Sequence, residues 1–275
     1  MAPARSLVWV ITLAVALGTT SPTLAQRHGG RHPQTSAGGV GFDQSVALLS
    51  ANDPAQIRSG IEALGLLGSP RAVDPISARI RRGLPADLLD SALDTLTVLG
   101  RPEAGPVLFA LTSHRRAAVR VKAIEAIIAC RPRGADRALA SALNDSEGRV
   151  RAAAALGLGQ LGSHGELDSL FLAFDRGVGE ASTALGQLAQ PADVARILGY
   201  LGRVPLDLVS PALNEVLARR DLPERSKLDV IAQLQELATG EAKNFLREFV
   251  ASLPQDAASQ SLRHAAEDAI LRIAD

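Results

Sequence analysis

Val150-Arg151-Ala152-Ala153-Ala154-Ala155-Leu156-Gly157-Leu158-Gly159-Gln160-Leu161-Gly162 is the stretch whose reading decides the fold. With Val150 as position 0, the apolar or small residues Val150, Ala154, Gly157, Leu158 and Leu161 fall at positions 0, 4, 7, 8 and 11. That is the spacing of one face of a 3.6-residue helix. Gly162 suits a helix stop, and the segment from Ser163 to Phe174 predicts a second, shorter helix, so the unit is a helical hairpin. Small residues at positions 4 and 7 let the two helices approach closely.

Outward from this stretch the same phrase recurs. Glu62-Ala63-Leu64-Gly65-Leu66-Leu67-Gly68, Asp94-Thr95-Leu96-Thr97-Val98-Leu99-Gly100, Glu125 to Arg131 and Leu156 to Gly162 close at residues 68, 100, 131 and 162, which lie 32, 31 and 31 apart. A period of this length means one supersecondary unit stacked on copies of itself, because a single unit cannot bury its own apolar face. Near matches at Ala184 to Leu188, Leu208 to Leu217, a degraded Ser226 to Ala238, and Leu262 to Ala274 carry the register on. It is lost between Arg219 and Leu237. The expectation is an all-α, right-handed α-solenoid of seven to eight hairpins, about 31 residues each, over 43–275, with Asp43 to Ser50 as the odd helix of an N-terminal cap.

Each unit also carries an acidic turn, a Val-Arg pair and an Ala-rich helix closing on Leu-Gly. The residues are Asp145 before Val150-Arg151, Val119-Arg120 with Ala123 and Ala126, Asp53 before Ile57-Arg58, and Leu262-Arg263 with Ala266 and Ala269. This pattern resembles the HEAT-like repeat of the phycobilisome-lyase type across roughly residues 43 to 275. The resemblance implies an armadillo-type solenoid that binds a protein or peptide, with the Val-Arg helices lining its concave side. It also implies an alternative, an accessory factor or enzyme related to the bilin lyases, acting on a tetrapyrrole attached to a partner protein. Deoxyhypusine hydroxylase in the same superfamily holds iron through paired His-Glu steps. No contiguous His-Glu occurs here, His164-Gly165-Glu166 being the nearest approach, and neither a metal nor a cofactor is expected.

Composition agrees with the period. Hydrophobic residues make up 47% of the chain and aromatic ones 3%, so the core must be built of Ala, Leu, Val and Ile. The N-terminus reads as targeting: Arg5, an apolar run from Leu7 to Leu17, and small Thr23 and Ala25 before a cut ahead of Gln26. Residues 1–25 are therefore expected to be a signal peptide, 26–42 a flexible linker, and the mature protein periplasmic or secreted. The apolar run is short for a membrane span. No Cys follows it to carry a lipid, and an uncleaved N-terminal anchor is the alternative. Cleavage removes one basic residue from a balance of 29 basic and 29 acidic, and a net charge near minus one argues against nucleic acid. Arg81-Arg82, Arg115-Arg116, and Arg131 with Arg133 read as solvated turn residues, and His28 with His32 as an incidental pair in the linker.

The candidate chemistry is sparse. Cys130 occupies the register position of Leu67, Leu99, Leu161 and Leu188 and is expected to be a small buried hydrophobe. Gly157 to Gly162 satisfies G-x-G-x-x-G, but an Ala-rich helix ends there, whereas a dinucleotide fingerprint needs a strand before it and a helix opening at it. Ser163, His164 and Asp168 are local in sequence, which is no evidence of a triad. Asn144-Asp145-Ser146 fits a glycosylation sequon and equally a turn before a helix.

The expected function is a non-enzymatic interaction scaffold. Its surface should be the exposed side of the Val-Arg helices, where position 6 reads Glu62, Asp94, Glu125, then Leu156, Thr183 and Asn214. Asp90 adds to an acidic N-terminal stretch, Arg58 and Lys122 partly offset it, and Ala152, Ala153 and Leu156 form an apolar floor in the middle.

Overall fold

The computed structural model describes residues 41–274, which belong to one compact unit. The signal peptide, the histidines His28 and His32 and nearly all of the expected linker lie outside the described residues. Where the two meet, helix α1 (Phe42–Leu48) begins one residue inside the stretch expected to be linker. Phe42 is half-buried, and the Arg71 guanidinium lies 4.5 Å from its ring centroid, so residue 42 belongs to the cap.

Long helices alternate with shorter return helices. The first are α2 (Pro54–Leu67), α3 (Val73–Arg82), α4 (Ala86–Leu99), α5 (Gly105–Leu111) and α6 (Ala117–Cys130). Next come α7 (Ala135–Ala142), α8 (Gly148–Leu161), α9 (Leu167–Asp175), α10 (Ala181–Leu188), α11 (Pro191–Leu198) and α12 (Leu206–Ala218). Each even-numbered helix packs on the preceding return helix, and α2, α4, α6, α8, α10 and α12 pack in series as one continuous row. Among the described residues there is no strand, only an isolated bridge between Leu201 and Val204.

Most of the helical face read from the sequence is buried: Val150, Ala154 and Leu158 are 0% exposed and Gly157 is buried with them, while Leu161, at the end of the helix, is half-buried. Gly68, Gly100 and Gly162 end α2, α4 and α8 in the left-handed conformation, at φ 59°, 59° and 73°. Arg131 stands in the same place after α6 at φ 47°. Two glycines set the approach of neighbouring helices. A Cβ on Gly157 would lie 2.5 Å from Leu139 of α7, and one on Gly186 would collide with the Ala212 carbonyl oxygen of α12.

Helix α12 contains Pro211, which has no N–H to donate and whose ring crowds the carbonyl one turn back. Its neighbours make the repair. Ser210 Oγ donates to the Asp207 carbonyl at 3.2 Å. Ser182 of α10, 1% exposed, accepts from the Ala212 N–H at 3.2 Å and donates to the Val209 carbonyl at 3.4 Å.

After α12 the alternation stops. No return helix separates it from α13 (Glu224–Leu237); residues 219–223 make the connection. Helices α14 (Gly240–Ser252) and α15 (Gln260–Arg272) follow, and α13, α14 and α15 all pack on one another. This is the physical reason the repeat register is lost between Arg219 and Leu237. Lys243 of α14 donates to the Ile273 carbonyl at 2.8 Å, and Arg263 of α15 donates to the Leu253 carbonyl at 2.9 Å, tying the antiparallel pair at both ends.

Candidate functional site

Glu62, Asp94 and Glu125 stand exposed at the same repeat position on α2, α4 and α6, three consecutive members of the helix row. Leu156, 38% exposed, continues the line on α8, with Ala152 and Ala153 half-buried beside it. Thr183 is half-buried and Asn214 exposed at the corresponding positions of α10 and α12.

Cross-helix ion pairs thin the charge of this face. Lys122 pairs with Asp94, Arg58 pairs with Asp87, and Arg116 Nη2 lies 3.8 Å from Asp90 Oδ1. Asp90 Oδ1 is buried with no hydrogen bond, so Arg116 supplies its only compensation among the described residues. Asp94 and Asp90, expected to make the stretch acidic, are thus each offset by a base, and among the described residues Glu62 and Glu125 have no ion-pair partner. Arg116 is correspondingly a partner of Asp90 rather than a solvated turn residue. One feature of the face escaped the sequence reading. One turn beyond Glu62 and Asp94, Leu66 is 91% and Val98 79% exposed, apolar side chains in the same register on adjacent helices. Position 10 of the repeat was the available signal.

The arginine of the Val-Arg pair is structural. Arg120 donates to the His114 carbonyl at 2.8 Å in the turn before its own helix and, through Nε and Nη2, to both Asp145 oxygens in the next turn, at 2.7 and 2.6 Å. Arg151 holds the Asp145 and Ser146 carbonyls at 2.8 and 3.0 Å. Asp145 also accepts from the Glu147 N–H at 2.9 Å, so the sequon segment is a capped turn before α8. Burial pushes the Asp145 carboxyl up, but the Arg120 and Glu147 hydrogen bonds and the Arg120 charge outweigh it and leave its pKa lowered.

The remaining candidates are drawn into packing. His164 Nδ1 lies 2.9 Å from the Leu188 carbonyl while Asp168 pairs with Arg196, so His164 and Asp168 are turned to different partners. Cys130 is 1% exposed, its thiol donates to the Leu96 carbonyl at 3.4 Å, and burial raises its pKa. Gly157 and Gly159 lie inside α8, which presents carbonyls rather than free N–H groups where the G-x-G-x-x-G phrase ends.

These stacked helical hairpins make the described residues an all-α solenoid. Residues 105–181 match the family model of HEAT repeats. Solved structures are similar to the chain at low identity. The phycocyanin lyase complex of CpcE and CpcF from Nostoc is 17% identical over 90% of this chain and 100% of that one, with a TM-score of 0.45. A homology model of the AP-3 complex is 16% identical over 85% of this chain, with a TM-score of 0.52, and the match spans 51% of that longer chain. A designed armadillo repeat protein in complex with the peptide (KR)4 is 15% identical over 83% of this chain and 99% of its own, at a TM-score of 0.41. No curated protein matches the chain. Among the described residues no helix is long and apolar enough to cross a membrane.

Proposed function

We propose that the protein is a non-enzymatic interaction scaffold, exported to the cell envelope or beyond, that holds a protein segment on the exposed face of α2, α4, α6 and α8. The observation that carries this reading is the face itself: Glu62, Asp94 and Glu125 in one line, exposed Leu66 and Val98 beside them, then Ala152, Ala153 and Leu156. Carboxylates flanking uncovered apolar side chains suit a segment whose basic residues lead into an apolar stretch. Asp94 is held by Lys122, and Arg58 with Asp87 and Arg116 with Asp90 also pair adjacent helices, so the charge offered to a partner centres on Glu62 and Glu125. The test begins with capture of the partner from its native envelope by the full chain. Against that partner, the triple variant Glu62→Lys, Asp94→Lys, Glu125→Lys should bind at least about tenfold more weakly and with a flatter dependence on salt. Unchanged affinity in a variant with intact helical content would remove this face as the docking surface.

A further inference from the structure

The chain has 6 Phe, 1 Trp and 1 Tyr, and three of these aromatic residues meet at one place. Tyr200, just after α11, lies edge-on to Phe174 of α9 at 4.9 Å between ring centroids, and stacks at 6.3 Å from Phe171. Its hydroxyl donates to Asp175 Oδ1 at 2.7 Å, which fixes the ring. Arg196 covers Phe171 at 3.7 Å and is committed to Asp168. On the other side of the cluster opens a cleft of about 360 Å³, walled by Phe174, Tyr200, Val204 and Leu208.

Three observations mark this cleft as a place for a ligand. Leu208 is 42% exposed while the adjacent Val209, 1% exposed, takes the buried place on α12, so Leu208 offers an apolar wall to the cleft. Arg203 and Asp175 both line the cleft, yet among the described residues neither has an ion-pair partner, nor do they pair with each other. Gly179 presents no side chain at the mouth, where a Cβ would make an ordinary contact of 3.9 Å with Leu208 Cδ2.

An apolar wall with one cation and one anion at its rim is complementary to a small molecule that carries both charges beside an apolar group. We propose that the cleft binds a free amino acid with a large apolar side chain. Arg203, whose guanidinium lies 5.8 Å from the Tyr200 ring centroid, takes its carboxylate, Asp175 holds its ammonium, and the side chain lies on Phe174, Val204 and Leu208. A ligand with a single charge would leave one rim group unanswered, and a polar side chain would leave Leu208 uncovered.

Tyr200 is the chain's single tyrosine, so ring labelling of tyrosine in the full-length protein places one reporter in the cleft. Titration with phenylalanine or leucine should shift its ring signals saturably, with a dissociation constant of about 0.1–1 mM for a ligand this small at an open site. Phenethylamine, 3-phenylpropionate and N-acetylphenylalanine amide should each bind at least about tenfold more weakly, a difference expected when one or both charged groups are missing. Arg203→Gln and Asp175→Asn should each cost phenylalanine a similar factor, and Asp175→Asn keeps an oxygen for the Tyr200 hydroxyl. Gly179→Leu should abolish binding with helical content unchanged. The proposal is overturned by the absence of a saturable shift with phenylalanine up to about 10 mM. Equal binding of the neutral amide or of 3-phenylpropionate would overturn it as well, leaving a merely apolar or a carboxylate-only cleft.

Discussion

Tyr200 shows how much one side chain takes from its neighbours. Burial pushes its phenol up, the hydrogen bond to Asp175 and that residue's charge push it further, and the pull of Arg196 and Arg203 is smaller, so it stands at about 12. A folded pKa above the ordinary value of about 10 means that the protonated phenol stabilises the fold. That contribution is whole below pH about 10 and is lost as the pH rises through about 12. Alkaline absorbance titration of the single tyrosine should therefore show tyrosinate forming with a midpoint near 12 in the native protein. Asp175→Asn should lower the midpoint toward 10, since it removes the negative charge that opposes ionisation. A native midpoint at 10 would mean that the ring is not held against Asp175.

At the scale of helices, two contacts between neighbours are open to measurement. Ser182 of α10 serves the backbone of α12 beside Pro211, and Ser182→Ala leaves the Ala212 N–H and the Val209 carbonyl short of a buried partner. The expected loss is about 1–3 kcal/mol by urea denaturation. In a Pro211→Ala background the same substitution should cost less, because a regular helix satisfies its own N–H groups; equal costs in both backgrounds would separate Ser182 from the proline. The second contact is Arg120 with Asp145, whose side chains are 11% and 13% exposed. A carboxyl with a lowered folded pKa stabilises the fold above its unfolded value of about 3.9, and the effect is lost as the pH falls through the folded value. Asp145→Asn should accordingly be less stable than the wild type at neutral pH, with the gap narrowing below pH about 4. A gap that stays constant down to low pH would show that the charge of Asp145 is not what Arg120 holds. The sequence exposed one half of each contact. Period and composition display Val119, Val150, Ala154 and Leu158 as the buried face, because burial recurs every 3.6 residues along one helix. The partners of Ser182, Arg120 and Asp94 lie 25 to 30 residues away, on the next unit. No period within one helix records them. The line of Glu62, Asp94 and Glu125 was legible because it repeats with the fold. The neutralising pairs and the Tyr200 cleft were not, since each occurs at single units.

For the whole molecule, the break after α12 matters more than the number of repeats. A solenoid holds together by interfaces between neighbours, and the row from α2 to α12 is joined by consecutive helix contacts. Beyond α12 no return helix carries that pattern forward, and a solvent-open groove of about 990 Å³ runs along the junction, lined among others by Leu217 of α12, Leu222 of the connection, Phe249 of α14 and Leu262 of α15. An interface with such a gap forgoes the dispersion contacts that couple units elsewhere. The three mutually packed helices α13, α14 and α15 should then open as a unit of their own. Native-state hydrogen exchange can separate the two parts. Ile127→Ala in α6 removes a 0% exposed side chain from the row and should cost about 2–5 kcal/mol there. With tight coupling, exchange in α13 to α15 would accelerate by the same amount as in α4 to α8. With the junction as loose as its packing implies, amides of α13 to α15 should keep their wild-type rates while those of α4 to α8 accelerate. Filling the groove should reverse this independence: Ala218→Leu, which adds apolar bulk along it, should raise protection in α13 to α15 and make their exchange respond to Ile127→Ala.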